Sequence, residues 1–316
     1  MSSGGESAKK PRMLRARAPR WKLPGAALRR AVLALALAAL PAGGAADPFA
    51  HGLLWRLDKP GVPASWVFGT LHSNDPRVTA LPVPVARAFA RARTFAMEIF
   101  WSEFEDAYFF DAMQFDDGQR LAPLVGDDAY ARLREALSGA APPEEALART
   151  KPWGALLRIA AARSSGDAPT LDRSLFVAAR ERWMTMVGLE SLDEQIAAFD
   201  SIPVETQIAL LRHAIDHRPT LEALLEPTIL AWLSRDIGEL VRINRAAASG
   251  DPDLVRHYAV LTQQLVGNRS ALMAHRLFLP LRHGGVFVAV GALHLYGAKG
   301  LLAQLRAQGC RLRRVY

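Results

Sequence analysis

The chain has 316 residues, half of them hydrophobic and 22% charged, which provides for a sizeable core and excludes a disordered composition. Its formal charge of +8 sits at one end: nine Lys and Arg against Glu6 alone fall within residues 1–46, leaving 30 basic and 30 acidic residues, of totals of 39 and 31, for the rest. A neutral body argues against nucleic acid as a partner, and a single cysteine, Cys310, excludes an internal disulfide.

In chain order, a basic stretch ends at Arg29-Arg30 and is followed by ten apolar residues, Ala31 to Leu40. Pro41, Gly43 and Gly44 then break any helix, and small residues lead to Asp47. Basic region, short apolar segment and small-residue exit together predict a secretory signal peptide over residues 1–46, cut after Ala46 with Gly44 at −3. Ten apolar residues fall short of a comfortable membrane span. The long polar lead leaves two alternatives open, an early start codon and an uncleaved anchor, the latter being the one expected membrane contact. Export to the periplasm or the extracellular space is the expected localisation, and 47–316 the mature domain.

Leu53 to Leu57 and Ser65 to Leu71 read as two strands joined by the Pro/Gly turn Lys59–Pro63. The second ends in Gly69-Thr70-Leu71-His72. A helix is predicted from Val83 to Ala92, with Val85, Ala88, Phe89 and Ala92 on one face, then a strand from Thr94 to Ile99 carrying Glu98. From Trp101 to Ala162 the pattern is helical, broken at Gly118, Gly126, Gly139 and Pro142-Pro143. Leu171 to Trp183 reads as a helix and Met184 to Leu189 as a strand ending in Glu190. Residues 203 to 281 show helical periods only. Val286 to Val290 is an apolar run with the mark of a buried central strand, and it ends in Gly291-Ala292-Leu293-His294. A helix from Lys299 to Gln308 and a strand from Arg311 to Val315 complete the chain.

Strand, Gly-x-Leu-His, loop, helix and strand thus occur twice. That weak repeat predicts an α/β (α+β) fold: two related half-sheets, 47–100 and 284–316, form one mixed sheet, with a mostly helical middle over 101–283. Ligands of open α/β sheets sit beyond the carboxyl ends of the strands, where His72, Glu98, Glu190 and His294 are all predicted. Two neutral imidazoles and a carboxylate are donors that divalent transition metals accept, with Glu98 as ligand or general base. In both motifs the glycine, Gly69 or Gly291, permits a sharp turn or a close approach to the backbone. The plain alternative is a satisfied strand-end histidine in each copy.

Other residues carry less. His213 and His217, spaced i, i+4, lack the glutamate of a His-Glu-x-x-His site and read as a solvated helix end. His51, His257, His275 and His283 read as surface residues. Asp172, Glu190 and Gln195 have capping or a structural hydrogen bond as alternatives. Ser65, Ser73 and Ser174 sit in no Gly-x-Ser-x-Gly elbow, and no Gly-x-Gly-x-x-Gly or P-loop appears.

The stretches LLWRLDKPGVPASWVFGTLH (53–72), FAMEI (95–99), KPW (151–153), LDRSLFVAARERWMTMVGLESLDEQIAAFDSIP (171–203) and GGVFVAVGALHLYGAKGLLAQLRAQG (284–309) resemble the TraB/GumN family. That family also includes the PrgY pheromone-shutdown proteins and the animal Tiki proteases. The resemblance covers essentially the whole chain after the leader, and the family's two Gly-x-x-His motifs fall on Gly69–His72 and Gly291–His294, its acidic residue on Glu98. It implies two related half-sheets and, from the Tiki branch, metal-dependent proteolysis. It also implies that Asp172, Glu190 and Gln195 are recurring positions. One departure stands out: where the family carries an Arg-Asn pair, this chain has Gly267-Asn268-Arg269, which puts an oxyanion-stabilising role for Arg269 in doubt.

The resulting expectation is an exported hydrolase, most readily a peptidase, that acts on a peptide or protein substrate. Manganese, cobalt or zinc would be held by His72, His294 and Glu98. Two rivals stay open: a non-catalytic protein sequestering a peptide, haem or metal in the same cleft, and an envelope interaction protein that docks through its helical middle.

Overall fold

The computed structural model describes residues 47–100, 103–138, 142–162, 168–248 and 250–316. The predicted leader, 1–46, lies outside them, as do Trp101 and Gly139 of the helical middle. Six strands form one mixed sheet: β1 (Leu54–Asp58), β2 (Ser65–Thr70), β3 (Thr94–Met97), β4 (Thr185–Gly188), β5 (Val286–Gly291) and β6 (Arg311–Arg314). Their spatial order is β4-β3-β5-β2-β1-β6.

β5 is central because its sequence, Val286-Phe287-Val288-Ala289-Val290, offers apolar side chains to both faces, and all five are buried. It runs parallel to β2 on one side and β3 on the other, and β4 continues parallel to β3. The predicted hairpin forms, with β1 antiparallel to β2, and β6 returns antiparallel to β1. The two repeats therefore interleave: β5 of the second inserts between β2 and β3 of the first, and β6 pairs with β1. Arg311, Arg313 and Arg314 are exposed on edge strand β6, where charge discourages pairing with another chain.

Helix Val83–Arg91 buries Val85, Ala88 and Phe89 as its periodicity requires. Phe89 and Phe95 then pack around Phe287 at centroid distances of 5.2 and 6.4 Å. Among the described residues, the stretch from 203 to 281 holds helices and no strand of the sheet. A second apolar core lies among the helices that follow β3, where Trp153 stacks on Phe199 at 4.9 Å. Leu293 packs against both cores, so the second Gly-x-Leu-His motif sits at their seam. A π-helical turn, Gln263–Asn268, joins helix Pro252–Thr262 to helix Arg269–Arg276 and carries the chain to that seam.

Candidate functional site

Parallel strands β2, β3, β4 and β5 end on the same side of the sheet, so their following residues meet there. Met97 of β3 pairs with Ala289 of β5, and Thr70 of β2 pairs with Gly291. One residue past β3 comes Glu98; two past β2 comes His72. His294 follows β5 inside a short 3-10 turn, Ala292–Leu295, where a loop was expected.

The carboxylate of Glu98 is the hub. His72 Nε2 lies 4.0 Å and His294 Nε2 3.8 Å from the same oxygen, Oε1. The Gly291 backbone N–H donates to Oε1 at 2.7 Å, and Arg269 Nη2 donates to Oε2 at 2.7 Å. Arg269 also forks onto Glu190, with Nε donating to Oε1 at 2.8 Å and Nη2 to Oε2 at 2.6 Å, while Nη1 donates to the Leu265 carbonyl at 3.0 Å. Glu190 in turn donates its backbone N–H to the Glu98 carbonyl at 2.8 Å.

Both imidazoles are held through Nδ1. His72 Nδ1 lies 2.7 Å from Asp172 Oδ2, a charge contact outside hydrogen-bond geometry, and Thr70 Oγ1 donates to the other Asp172 oxygen at 2.6 Å. His294 Nδ1 lies 2.9 Å from Ser270 Oγ. With Nδ1 occupied, Nε2 is the nitrogen each ring turns toward Glu98. A hydrogen bond at that outer nitrogen is what orients metal-ligating histidines, and here Asp172 and Ser270 stand at that position.

The two glycines have different tasks, and neither needs a left-handed turn. A Cβ on Gly69 would strike Leu295 Cδ1 at 2.8 Å and the Ala292 backbone at 3.0 Å, so this glycine lets the 3-10 turn pack onto β2. A Cβ on Gly291 would stand 3.4 Å from Glu98 Oε1, 3.6 Å from His72 Nε2 and 3.7 Å from His294 Cδ2. Gly291 therefore keeps clear the space that the three donors face. The sharp turn expected of both motifs is not required at either.

Burial sets the electrostatics. The side chains of His72, Glu98 and His294 are 9, 5 and 3% exposed. Burial opposes charge on Glu98, but the Arg269 guanidinium, the two histidines and the Gly291 N–H outweigh it and hold this carboxyl down to about 2. Burial holds Glu190 above its ordinary range despite the guanidinium. Burial also pushes His294 down to about 4, because Glu98 compensates too little and Arg269 and His72 add to the fall. His72 is equally enclosed, yet Asp172 and Glu98 overcome its burial and raise it. The two histidines differ in what stands at Nδ1: an anion beside one, a hydroxyl beside the other.

These shifts have a sign. In metal-free protein His294 binds a proton less readily when folded than when unfolded, so stability is lost as pH falls from 6.5 to about 4. Glu98 adds a further loss from 4.5 to about 2, while Glu190, held above 4.5, offsets part of the His294 loss before that point. The contribution of His72 is complete below 6.5 and is lost as pH rises through its folded value. Melting temperatures of chelator-treated protein are therefore expected to fall from pH 6.5 to 4, and His294→Gln should flatten that part of the curve. The same slope in His294→Gln as in the parent would refute the assigned protonation of His294.

The structure thus brings together His72, Glu98, Glu190, His294, Arg269 and Asp172. Asp172 does not cap its helix, since Thr170 does. Arg269 reaches the cluster, and Ser270 follows it in the chain. Its donors, however, are spent on Glu98, Glu190 and Leu265, which leaves at most one of five N–H groups for an oxyanion. Arg269 ties Glu98 to Glu190. Gln195 is buried, and among the described residues neither amide atom is hydrogen-bonded.

Ser270 and Thr70 went unread in the sequence, although Thr70 is the variable position of the first motif and Ser270 adjoins Arg269. His213 is not a solvated helix end: it is half-buried and stacked on His217 at 4.4 Å. His257 is likewise half-buried, with Nδ1 2.9 Å from Thr206 Oγ1. Cys310 is free and buried.

The donor chemistry fits a divalent metal, but the cluster is slightly wide. Ligands about 2.1 Å from a shared centre stand roughly 3.4 Å apart in a tetrahedral site, against 3.8 and 4.0 Å here. Among the described residues, no three or more His, Cys, Asp or Glu side chains form a closed metal-holding group.

A family model described as the TraB/PrgY/gumN family matches residues 53–314, from before β1 through the end of β6 and including every residue of the cluster. Comparison with curated proteins and with solved structures finds no match to either.

Proposed function

The chain belongs to the TraB/PrgY/gumN family, and from that premise we propose that it is a metal-dependent hydrolase of peptides whose centre is the His72–Glu98–His294 cluster. One observation carries the reading: two imidazole Nε2 atoms face one carboxylate oxygen, at 4.0 and 3.8 Å, around a space that Gly291 keeps open. His72, His294 and Glu98 Oε1 would hold manganese, cobalt or zinc. When bound, such an ion lowers the pKa of water and polarises a carbonyl. Glu98, ionised at neutral pH, would serve as a ligand or as the base; Asp172 and Ser270 stand at the outer nitrogens of the rings; Arg269 keeps two adjacent carboxylates from repelling each other.

The burial of all three donors favours one second reading, a centre that holds a metal or small ligand without turning over a peptide. Action outside the cytoplasm is part of the proposal and rests on the pattern of residues 1–46. An N-terminus near Asp47 on the exported product tests that part. Retention of Met1 on cytoplasmic protein would reverse it.

Gly291→Ala tests the site itself. The backbone there, φ −52° and ψ 136°, suits any residue, and the contacts of the added methyl with the donors are ordinary to tight. The variant is expected to melt within a few degrees of the parent while losing metal binding by calorimetry and cleavage of a peptide library. Metal binding and cleavage both unchanged would show that the space is not the site. Metal bound by the parent without cleavage of any peptide would select the second reading.

A further inference from the structure

The opposite end of the sheet has a character of its own. Strands β3, β4 and β5 start there, and the β1–β2 turn and the start of β6 lie beside them, Asp58 pairing with Arg311. Backbone hydrogen bonds stitch these segments together: Thr185 N–H to the Arg93 carbonyl at 3.0 Å, Arg93 N–H to Gly285 at 2.8 Å, and Gly285 N–H to Pro63 at 3.2 Å. The result is one continuous rim, about 24 Å across for six strands.

Cations punctuate it strand by strand. Arg182 precedes β4, Arg91 and Arg93 precede β3, Arg282 precedes β5, and Arg311 opens β6; all five are exposed. Lys59 stands in the hairpin turn. The acids nearby are Asp58, already paired with Arg56 at 2.8 Å, and Glu181. In a body whose charges balance overall, this end is locally basic.

Large apolar side chains stand among the cations. Trp183 is 93% exposed, Leu279 64% and Phe278 45%. Lys59 Nζ lies 5.7 Å and the Arg282 guanidinium 6.0 Å from the Phe278 ring centroid. Trp183 occupies a turn with φ +53°, a conformation that glycine or asparagine adopts at less cost, and the turn holds the indole out into water. Exposed Trp, Phe and Leu on an end that also carries exposed Arg match a lipid headgroup surface, where cations meet phosphate and rings enter the interface.

We propose that this rim docks on an anionic lipid bilayer, which leaves the His72–Glu98–His294 end facing away from it. The inference is independent of the catalytic reading. Lipid is favoured over nucleic acid because Leu279 offers no ring on which a base could stack. Among the described residues no helix is long and apolar enough to cross a membrane, so the contact is interfacial.

The test uses the full chain. Cys310 is buried, so a cysteine placed at position 183 or 279 can carry an environment-sensitive fluorophore selectively. Trp183→Cys and Leu279→Cys labels are expected to shift to the blue on vesicles of phosphatidylcholine with phosphatidylglycerol, but not on phosphatidylcholine alone. A label at Arg77→Cys, at the opposite end, should not shift. Adding Arg93→Glu and Arg282→Glu should weaken the response at 183 roughly 100-fold or more, with unchanged circular dichroism. No shift at 183 and 279, an equal shift at 77 through tethering by the leader, or an equal response to a DNA duplex would overturn the proposal.

Discussion

Arg269→Met is expected to lower stability by about 3–5 kcal/mol, because it leaves two buried carboxylates facing each other without a counter-charge. Arg269, Glu98 and Glu190 are each buried, at 5, 4 and 6% of residue exposure, and Arg269 supplies both carboxylates at 2.6–2.8 Å. Water cannot rescue them where they stand. For a domain of this size such a loss lowers the melting temperature by roughly 6–20 °C. Arg269→Lys should recover part of it, since one ammonium cannot fork onto two carboxylates as the guanidinium does. A triple variant, Arg269→Met with Glu98→Gln and Glu190→Gln, should melt above the single variant, because it removes the stranded charges as well. Differential scanning calorimetry decides this. A change of less than about 2 °C in Arg269→Met would mean that the carboxylates find other partners.

The largest effect on activity is expected from Glu98→Gln. The amide keeps the shape of the carboxylate and can still accept from the Gly291 N–H, now 2.7 Å from Oε1, but it loses charge and basicity. Cleavage of a susceptible peptide should fall by about 100- to 10,000-fold, the usual worth of a positioned acid–base group. Metal affinity, read separately by calorimetry, assigns the role. Retained affinity with lost turnover makes Glu98 the base; loss of both makes it a ligand. His72→Ala should lose both, while His217→Ala, on the remote histidine pair, should lose neither. Turnover that survives Glu98→Gln in the presence of a chelator would end the metal-hydrolase reading. The stability cost of Glu98→Gln is expected to be smaller than that of Arg269→Met, since Glu190 remains to pair with the guanidinium.

Much of the fold was legible because local physics dictates it. The apolar run from Val286 to Val290 has nowhere to go but between two other strands. The Pro/Gly turn at 59–63 closes the hairpin, and the face of Val85, Ala88 and Phe89 specifies how its helix lies. His72, Glu98, Glu190 and His294 were recognisable because each follows an apolar strand, and parallel strands deliver such residues to one edge.

Other features depend on pairings that local sequence does not encode. The interleaving of the repeats, with β5 between β2 and β3, follows from which buried surfaces fit together. Nothing near Arg269 announces that a π-helical turn will aim it at two carboxylates 171 and 79 residues away along the chain. Ser270 and Thr70 acquire their roles only when helices Arg269–Arg276 and Leu171–Glu181 pack onto the sheet. The two glycines hold the same place in their motifs, yet one serves packing and the other serves an open space, a difference made by what stands within 4 Å. By itself the sequence determined the strands, the edge where its chemistry gathers and the residue types present there, because hydrophobic period and turn chemistry act over a few residues. Only the tertiary structure decided partners, protonation and accessibility, because burial and charge act through space and not along the chain.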